Sequence, residues 1–129
     1  MVVTILPPPY MNVQGLLGRW DRFRVTLFTT NPVITVDEWW DAWLDLSNRL
    51  YPLGIQENNI WTDAAGDVSR IRHGTGREEW GQALDLLRKG GAGGEMTIEG
   101  LLHEMREDFR GNSDLQLMEN IYLNQLRRA

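Results

Sequence analysis

Cysteine is absent from all 129 residues. No disulfide, thiolate zinc site or cysteine nucleophile can be built from this chain, and a reducing, cytoplasmic setting is the natural expectation. Basic charge is also scarce, with 13 Lys and Arg against 18 Asp and Glu and a net charge of −5. Sequence-independent affinity for nucleic acid needs concentrated Lys and Arg, so direct nucleic-acid binding is not expected, and an anionic membrane surface is disfavoured for the same reason. No apolar run approaches the roughly 20 residues that span a bilayer, and the opening MVVTILPPPY has no basic flank of the kind that starts a secretory signal. A soluble protein of one domain is the expectation.

What the chain does have is tryptophan, and three of its six lie in residues 35–53, TVDEWWDAWLDLSNRLYPL. At 100° per residue this stretch puts Val36, Trp39, Trp40, Trp43, Leu44, Leu46, Ser47, Leu50 and Tyr51 on one arc of about 160°. Thr35 and Glu38 form a T-x-x-E capping box at its start, and Pro52 and Gly54 end it. Burial of three indoles, roughly 150–250 Å² each at about 25 cal/mol per Å², represents on the order of 10 kcal/mol of gross driving force. Trp39 and Trp43 are therefore the expected centre of the core. Trp40 and Tyr51, nearer the polar boundary, are the members expected to meet solvent.

Ahead of that helix, residues 1–14 read as an extended arm. Val2, Val3, Thr4 and Ile5 are β-branched, and Pro7-Pro8-Pro9 imposes polyproline II and excludes a helix interior. Within residues 22–30, Phe23, Val25 and Leu27 alternate with Arg24, Thr26 and Phe28 as in a strand. Beyond Gly54 the periodicity fails, and a hairpin pairing residues 59–62 with 68–72 across Asp63-Ala64-Ala65-Gly66-Asp67 is the expected form. Thr75 and Glu78 form a second capping box, followed by the stripe Trp80, Ala83, Leu84, Leu87 and a stop at Gly90. The run Gly90-Gly91-Ala92-Gly93-Gly94 reads as a hinge. Thr97 caps a third helix with Ile98, Leu101, Leu102, Met105 and Phe109 on one face. Ser113 opens a fourth that carries Leu115, Leu117, Met118, Ile121, Tyr122 and Leu126 over about half its circumference. The expected fold is thus α+β and helix-dominant: about four amphipathic helices and one or two short strands, with an arm over residues 1–14 and a globular domain over 15–129 hinged at 90–94.

Catalytic signatures are lacking. His103-Glu104 begins the zinc pattern H-E-x-x-H, but its last position is Glu107, and His with Glu on a helix's polar face is ordinary. His73 sits in a glycine-flanked loop beside Arg70 and Arg72 with no partner legible from sequence. The glycine run lacks the Lys-Ser/Thr of a phosphate-binding loop. No catalytic residue, metal ligand or cofactor is expected.

Two stretches point instead to protein partners. Pro7-Pro8-Pro9-Tyr10 fits the P-P-x-Y pattern taken by aromatic grooves, because preformed polyproline II loses little entropy on docking. Asp37, Asp41 and Asp45 recur at i, i+4, i+8 along the tryptophan-rich helix. Like charges at that spacing destabilise a helix by a few tenths of a kcal/mol per pair, so they form either a solvated face or one that meets a basic partner. The leading expectation is a non-enzymatic structural or assembly protein that packs on partner subunits or copies of itself through its arm and apolar helices, a build shared with small viral or phage particle components. An acidic inhibitor or adaptor presenting the Asp face to a basic site is the alternative. A small enzyme ranks third, since no nucleophile, base and orienting group assemble from the sequence.

Overall fold

A computed structural model describes residues 34–127. The arm at 1–14 with Pro7, Pro8, Pro9 and Tyr10, its expected join to the domain, and the strand expected within 22–30 all lie outside the described residues. By its internal contacts the chain divides into two units, Met1–Leu46 and Ser47–Ala129.

Helix α1, Val36–Leu50, starts as its sequence dictates. The Glu38 amide donates to Thr35 Oγ1 at 3.1 Å, and the Thr35 amide donates to Glu38 Oε1 at 3.0 Å. In the first unit Ile34, Trp39, Trp40, Ala42, Trp43 and Leu46 are buried. The three indoles form a triangle with centroids 4.9, 5.2 and 5.4 Å apart, within the range where tilted and edge-to-face aromatic pairs attract. Trp40 is only 9% exposed and Tyr51 is fully buried, against the sequence expectation for both. Ala42 and Asp45 are buried as well, which widens the covered arc of α1 to roughly 220° at 100° per residue and takes in positions that the apolar pattern leaves at its margin.

In the second unit Gly54 reverses the chain with φ +111°, after the Tyr51 amide has made its last helical bond to Ser47 O. A 3₁₀ turn, Glu57–Asn59, then leads into the single-turn helix α2, Ile60–Asp63, and a second 3₁₀ turn covers Val68–Arg70. The expected hairpin does not form, and among the described residues there is no strand. Asn58 and Asn59 adopt left-handed φ values of 55° and 56°, which asparagine tolerates and an extended strand forbids. Ile60 and Trp61 are both buried, whereas successive strand residues face opposite sides. Asp67 caps the second turn by accepting from the Ser69 amide at 3.0 Å.

Helix α3, Gly76–Lys89, carries the full Thr75–Glu78 capping box and buries Glu79, Trp80, Ala83, Leu84 and Leu87. It ends at Gly90 in the left-handed region, φ +83°, with the Gly91 amide returning to Leu86 O. The glycine run beyond is fastened to the 65–70 turn. Asp67 N donates to Ala92 O at 2.9 Å, Arg70 Nη1 donates to Gly91 O at 2.7 Å, and a Cβ on Gly93 would stand 2.8 Å from Ala65 O. A hinge at 90–94 would have to break these contacts.

Helix α4, Ile98–Asp108, is capped by Thr97, and helix α5, Ser113–Ile121, by Asn112, one residue before the Ser113 expected from sequence. A π turn, Tyr122–Leu126, continues α5. Leu101, Leu102 and Met105 of α4 and Leu115, Met118 and Ile121 of α5 are buried; α4 packs on both α2 and α5, and Arg106 pairs with Glu119. A line of rings, Phe109, Tyr51, Trp80 and Trp61, runs through the unit with successive centroids 5.3, 5.7 and 6.2 Å apart. The described part is thus helix-dominant, with five α-helices, none long and apolar enough to cross a membrane.

Candidate functional site

The Asp residues singled out on α1 are not equivalent. Asp37 and Asp41 are exposed, with Glu38 beside them, while Asp45 is 8% exposed and belongs to the covered side of the helix. The exposed acidic group is therefore the first turn and a half of α1, and none of the three aspartates is an unpartnered charge. His103 and Glu107 on α4 are exposed, and among the described residues no three His, Asp or Glu side chains gather as a metal site requires.

The most organised polar group lies at the start of α3. Glu79 is 3% exposed because it stands one residue before Trp80 and four before Ala83, on the buried stripe. A carboxylate in that position must find donors, since burying it bare costs several kcal/mol. It finds three. Oε1 accepts from the Ile55 amide at 3.2 Å, while Oε2 accepts from the Gly74 amide at 3.1 Å and faces His73 Nδ1 at 3.0 Å. One buried carboxylate thereby ties two surface loops, 52–55 and 72–74, to the first turn of α3. Glycine at 54 is required by the same arrangement: its φ of +111° suits only glycine, and a Cβ there would stand 2.2 Å from Glu79 Oε1. The loop at 52 also touches the helix start, as a Cβ on Gly76 would lie 2.1 Å from Pro52 O.

On the outer side of this junction is an open groove of about 540 Å³, lined by Arg72, His73, Arg77 and Glu78 over Gly74, Gly81 and Gln82. The Gln82 carboxamide fixes Arg72 through both of its backbone groups: Arg72 N donates to Oε1 at 2.9 Å, and Nε2 donates to Arg72 O at 3.1 Å. Both glutamates near the groove are committed to backbone donors. Glu78 is held below the usual carboxylate range first by the Thr75 amide and then by the Thr75 hydroxyl, and Glu79 serves the loops. The groove's rim thus sets the guanidinium groups of Arg72 and Arg77 and the imidazole of His73 beside the Glu78 carboxylate. Guanidinium groups supply planar, two-point contacts to carboxylates and other oxyanions. No Ser, Thr or Cys is among its lining residues, so the His73–Glu79 pair has no nucleophile to activate there.

Sequence reasoning located His73 but not its partner. The legible signal was a second glutamate directly after the capping-box Glu78, on the helix face that also carries Trp80 and Ala83. The chain matches no family model, and no curated protein or solved structure matches it.

Proposed function

We propose that this chain is a non-enzymatic structural or assembly protein of cytoplasmic origin that packs on protein partners, including other copies of itself, as the small components of viral or phage particles do. The carrying observation is the apolar, proline-stiffened arm: Val2, Val3, Ile5, Leu6 and Tyr10 flank or adjoin three prolines that have no backbone donors. Such a segment gains more by lying against a partner's surface than by folding on itself. Support comes from the second unit, where three polar side chains serve the fold: Glu79 holds loops, Trp80 Nε1 donates to Tyr51 O at 3.0 Å, and the Tyr51 hydroxyl donates to Asp108 Oδ2 at 2.6 Å.

Deleting residues 1–14 should leave a folded chain whose Tm lies within a few degrees of the full protein but whose association, read by light scattering and pull-down, is lost. Assembly that persists unchanged while the Tm collapses would place the arm in the chain's own core and sink this reading.

A second reading, an acidic adaptor that presents α1 to a basic site, is favoured by the exposure of Asp37 and Asp41 beside Glu38. Converting Asp37 and Asp41 to Asn should then weaken salt-sensitive binding to a basic protein and leave the melting curve unmoved. Binding that survives this pair of changes argues against it.

A further inference from the structure

We propose that α4 and α5 exchange as one body between two copies of this chain, with the glycine run at 90–94 as the hinge and the turn at 65–70 as its latch. This names the surface on which a second copy binds, and it rests on the self-association in the assembly reading above.

Helices α4 and α5 are joined by links that travel with them. Arg106 pairs with Glu119, while Glu99 accepts from the Tyr122 hydroxyl at 3.3 Å and faces Arg127 Nη1 at 3.6 Å. Their buried side chains are Leu101, Leu102 and Met105 on α4 and Leu115, Met118 and Ile121 on α5, an apolar face that two helices cannot cover alone. Its cover includes α2, where Ile60 and Trp61 are buried. At the end of α4 the Tyr51 hydroxyl donates to Asp108 Oδ2 at 2.6 Å, and the Tyr51 ring meets Phe109 edge-on with centroids 5.3 Å apart. These covering groups, Tyr51 and α2, all precede the glycine run in the chain. A second copy therefore offers α4 and α5 the same surface that their own chain offers, and no new complementarity is needed.

What decides between closing on itself and closing on a neighbour is the hinge. Four of the five residues at 90–94 are glycine, so the run can reverse or extend at little steric cost. The reversed path is fastened by the Asp67 amide to Ala92 O at 2.9 Å and by Arg70 Nη1 to Gly91 O at 2.7 Å. Asp67 also aims the latch, because its Oδ2 accepts from Arg70 Nε at 3.2 Å. Both latch side chains are about half exposed, so water can take over their bonds when the hinge opens. Gly93 lies tight against the same turn, with room for no side chain beside Ala65 O. Opening gives up these bonds and the cover over Ala92, whereas the helix packing is restored by the partner. The latch thus sets the balance between the closed chain and the exchanged pair.

Hinge variants of the full chain test it. Gly93→Val puts a branched side chain where a Cβ would already stand 2.8 Å from a backbone oxygen, so the closed chain is strained and an opened hinge is not. Its Tm should lie below that of the wild type in dilute solution and climb with protein concentration, and it should sediment as a dimer. Arg70→Ala, which only loosens the latch, should raise the dimer association constant about tenfold or more, because two chains no longer lose that bond on opening. Isotope-filtered NOE spectra on a mixture of labelled and unlabelled Gly93→Val chains read the exchange directly, as contacts from the Tyr51 ring of one chain to the Phe109 ring of the other. A dimer whose Tyr51–Phe109 contacts stay within one chain overturns the proposal. So does a Gly93→Val chain that stays monomeric with a Tm, or a failure to fold, that concentration does not change. If deletion of residues 1–14 abolishes wild-type association while neither hinge variant exchanges, the exchange is refuted and the arm-based reading stands. If the hinge variants exchange and the deletion changes nothing, the exchange stands and the arm-based reading fails.

Discussion

Replacing Glu79 by alanine should destabilise the second unit by about 2–4 kcal/mol. The figure follows from what each donor loses. The Ile55 amide bond is buried, and removal of a charged acceptor from a buried donor costs about 1.5–3 kcal/mol. The Gly74 amide is only part-buried and can turn to water, so its share is about 0.5–1 kcal/mol. The His73 side chain is 91% exposed, and its pairing contributes nothing worth counting. Glutamine in place of Glu79 keeps the shape and one carbonyl acceptor, so Glu79→Gln should cost about 1 kcal/mol, roughly the net worth of a single hydrogen bond. Urea denaturation followed by circular dichroism reads the total. Hydrogen exchange reads the cause: protection of the Ile55 amide should fall in Glu79→Ala far more than that of amides inside α4 or α5. A loss below about 0.5 kcal/mol, or an Ile55 amide as protected as in the wild type, would mean that the carboxylate is incidental and that the loops are held by packing alone.

Three further outcomes follow from the same geometry. Gly54→Ala should destabilise by about 1–3 kcal/mol from its φ of +111° alone and by more through the 2.2 Å approach of its Cβ to Glu79 Oε1, and a double-mutant cycle with Glu79→Ala should recover the second part only. The Tyr51 hydroxyl is pushed well above the ordinary phenol value, by burial first and by its bond to Asp108 second, so the folded state keeps a proton that the unfolded state gives up above about pH 10. The Tyr51 contribution to stability should therefore be level below that pH and fall as pH rises beyond it, and Tyr51→Phe, at a cost of about 1 kcal/mol at neutral pH, should flatten that alkaline limb. Trp43→Ala, which removes one corner of the indole triangle, should lower stability by about 3–5 kcal/mol in denaturant melts.

The helices were legible wherever a local chemical device and a 3.6-residue stripe coincide. Thr35 with Glu38 and Thr75 with Glu78 each satisfy orphan amides within one turn, so four residues are enough to mark a start, and both boxes close as read. Between Gly54 and Gly76 no such coincidence exists. There the backbone is directed by two consecutive left-handed asparagines and by an Asp67 cap, and the turn-forming residues that suggested a hairpin are equally the ones that bracket a one-turn helix. The apolar arc of α1 misjudged Trp40 and Tyr51 for a related reason. Position on a helical wheel describes one helix, whereas burial depends on what surrounds it, and a helix covered over more than half its circumference has no boundary at which a tryptophan can escape.

The organised site was hidden because its centre is a residue type that sequence reading assigns to solvent. Glutamate in the first turn of a helix has a sufficient explanation in the dipole and the cap, and Glu78 fits it. Glu79 next to it does not, because a capping box uses only one carboxylate and the adjacent position points to the Trp80 side of the helix. Once that is recognised, the consequences run outward in a fixed order. A carboxylate on the buried stripe needs backbone donors; the α3 amides from Glu78 on are already in use, so the donors come from loops; and loops that reach inward to the start of a helix present their neighbouring side chains outward around it. Leu53 and the Arg72–His73 pair are those neighbours. Both loops are thus held by the same buried group that closes the fold, and this is why substitution at Glu79 should loosen the fold and the loop surface together.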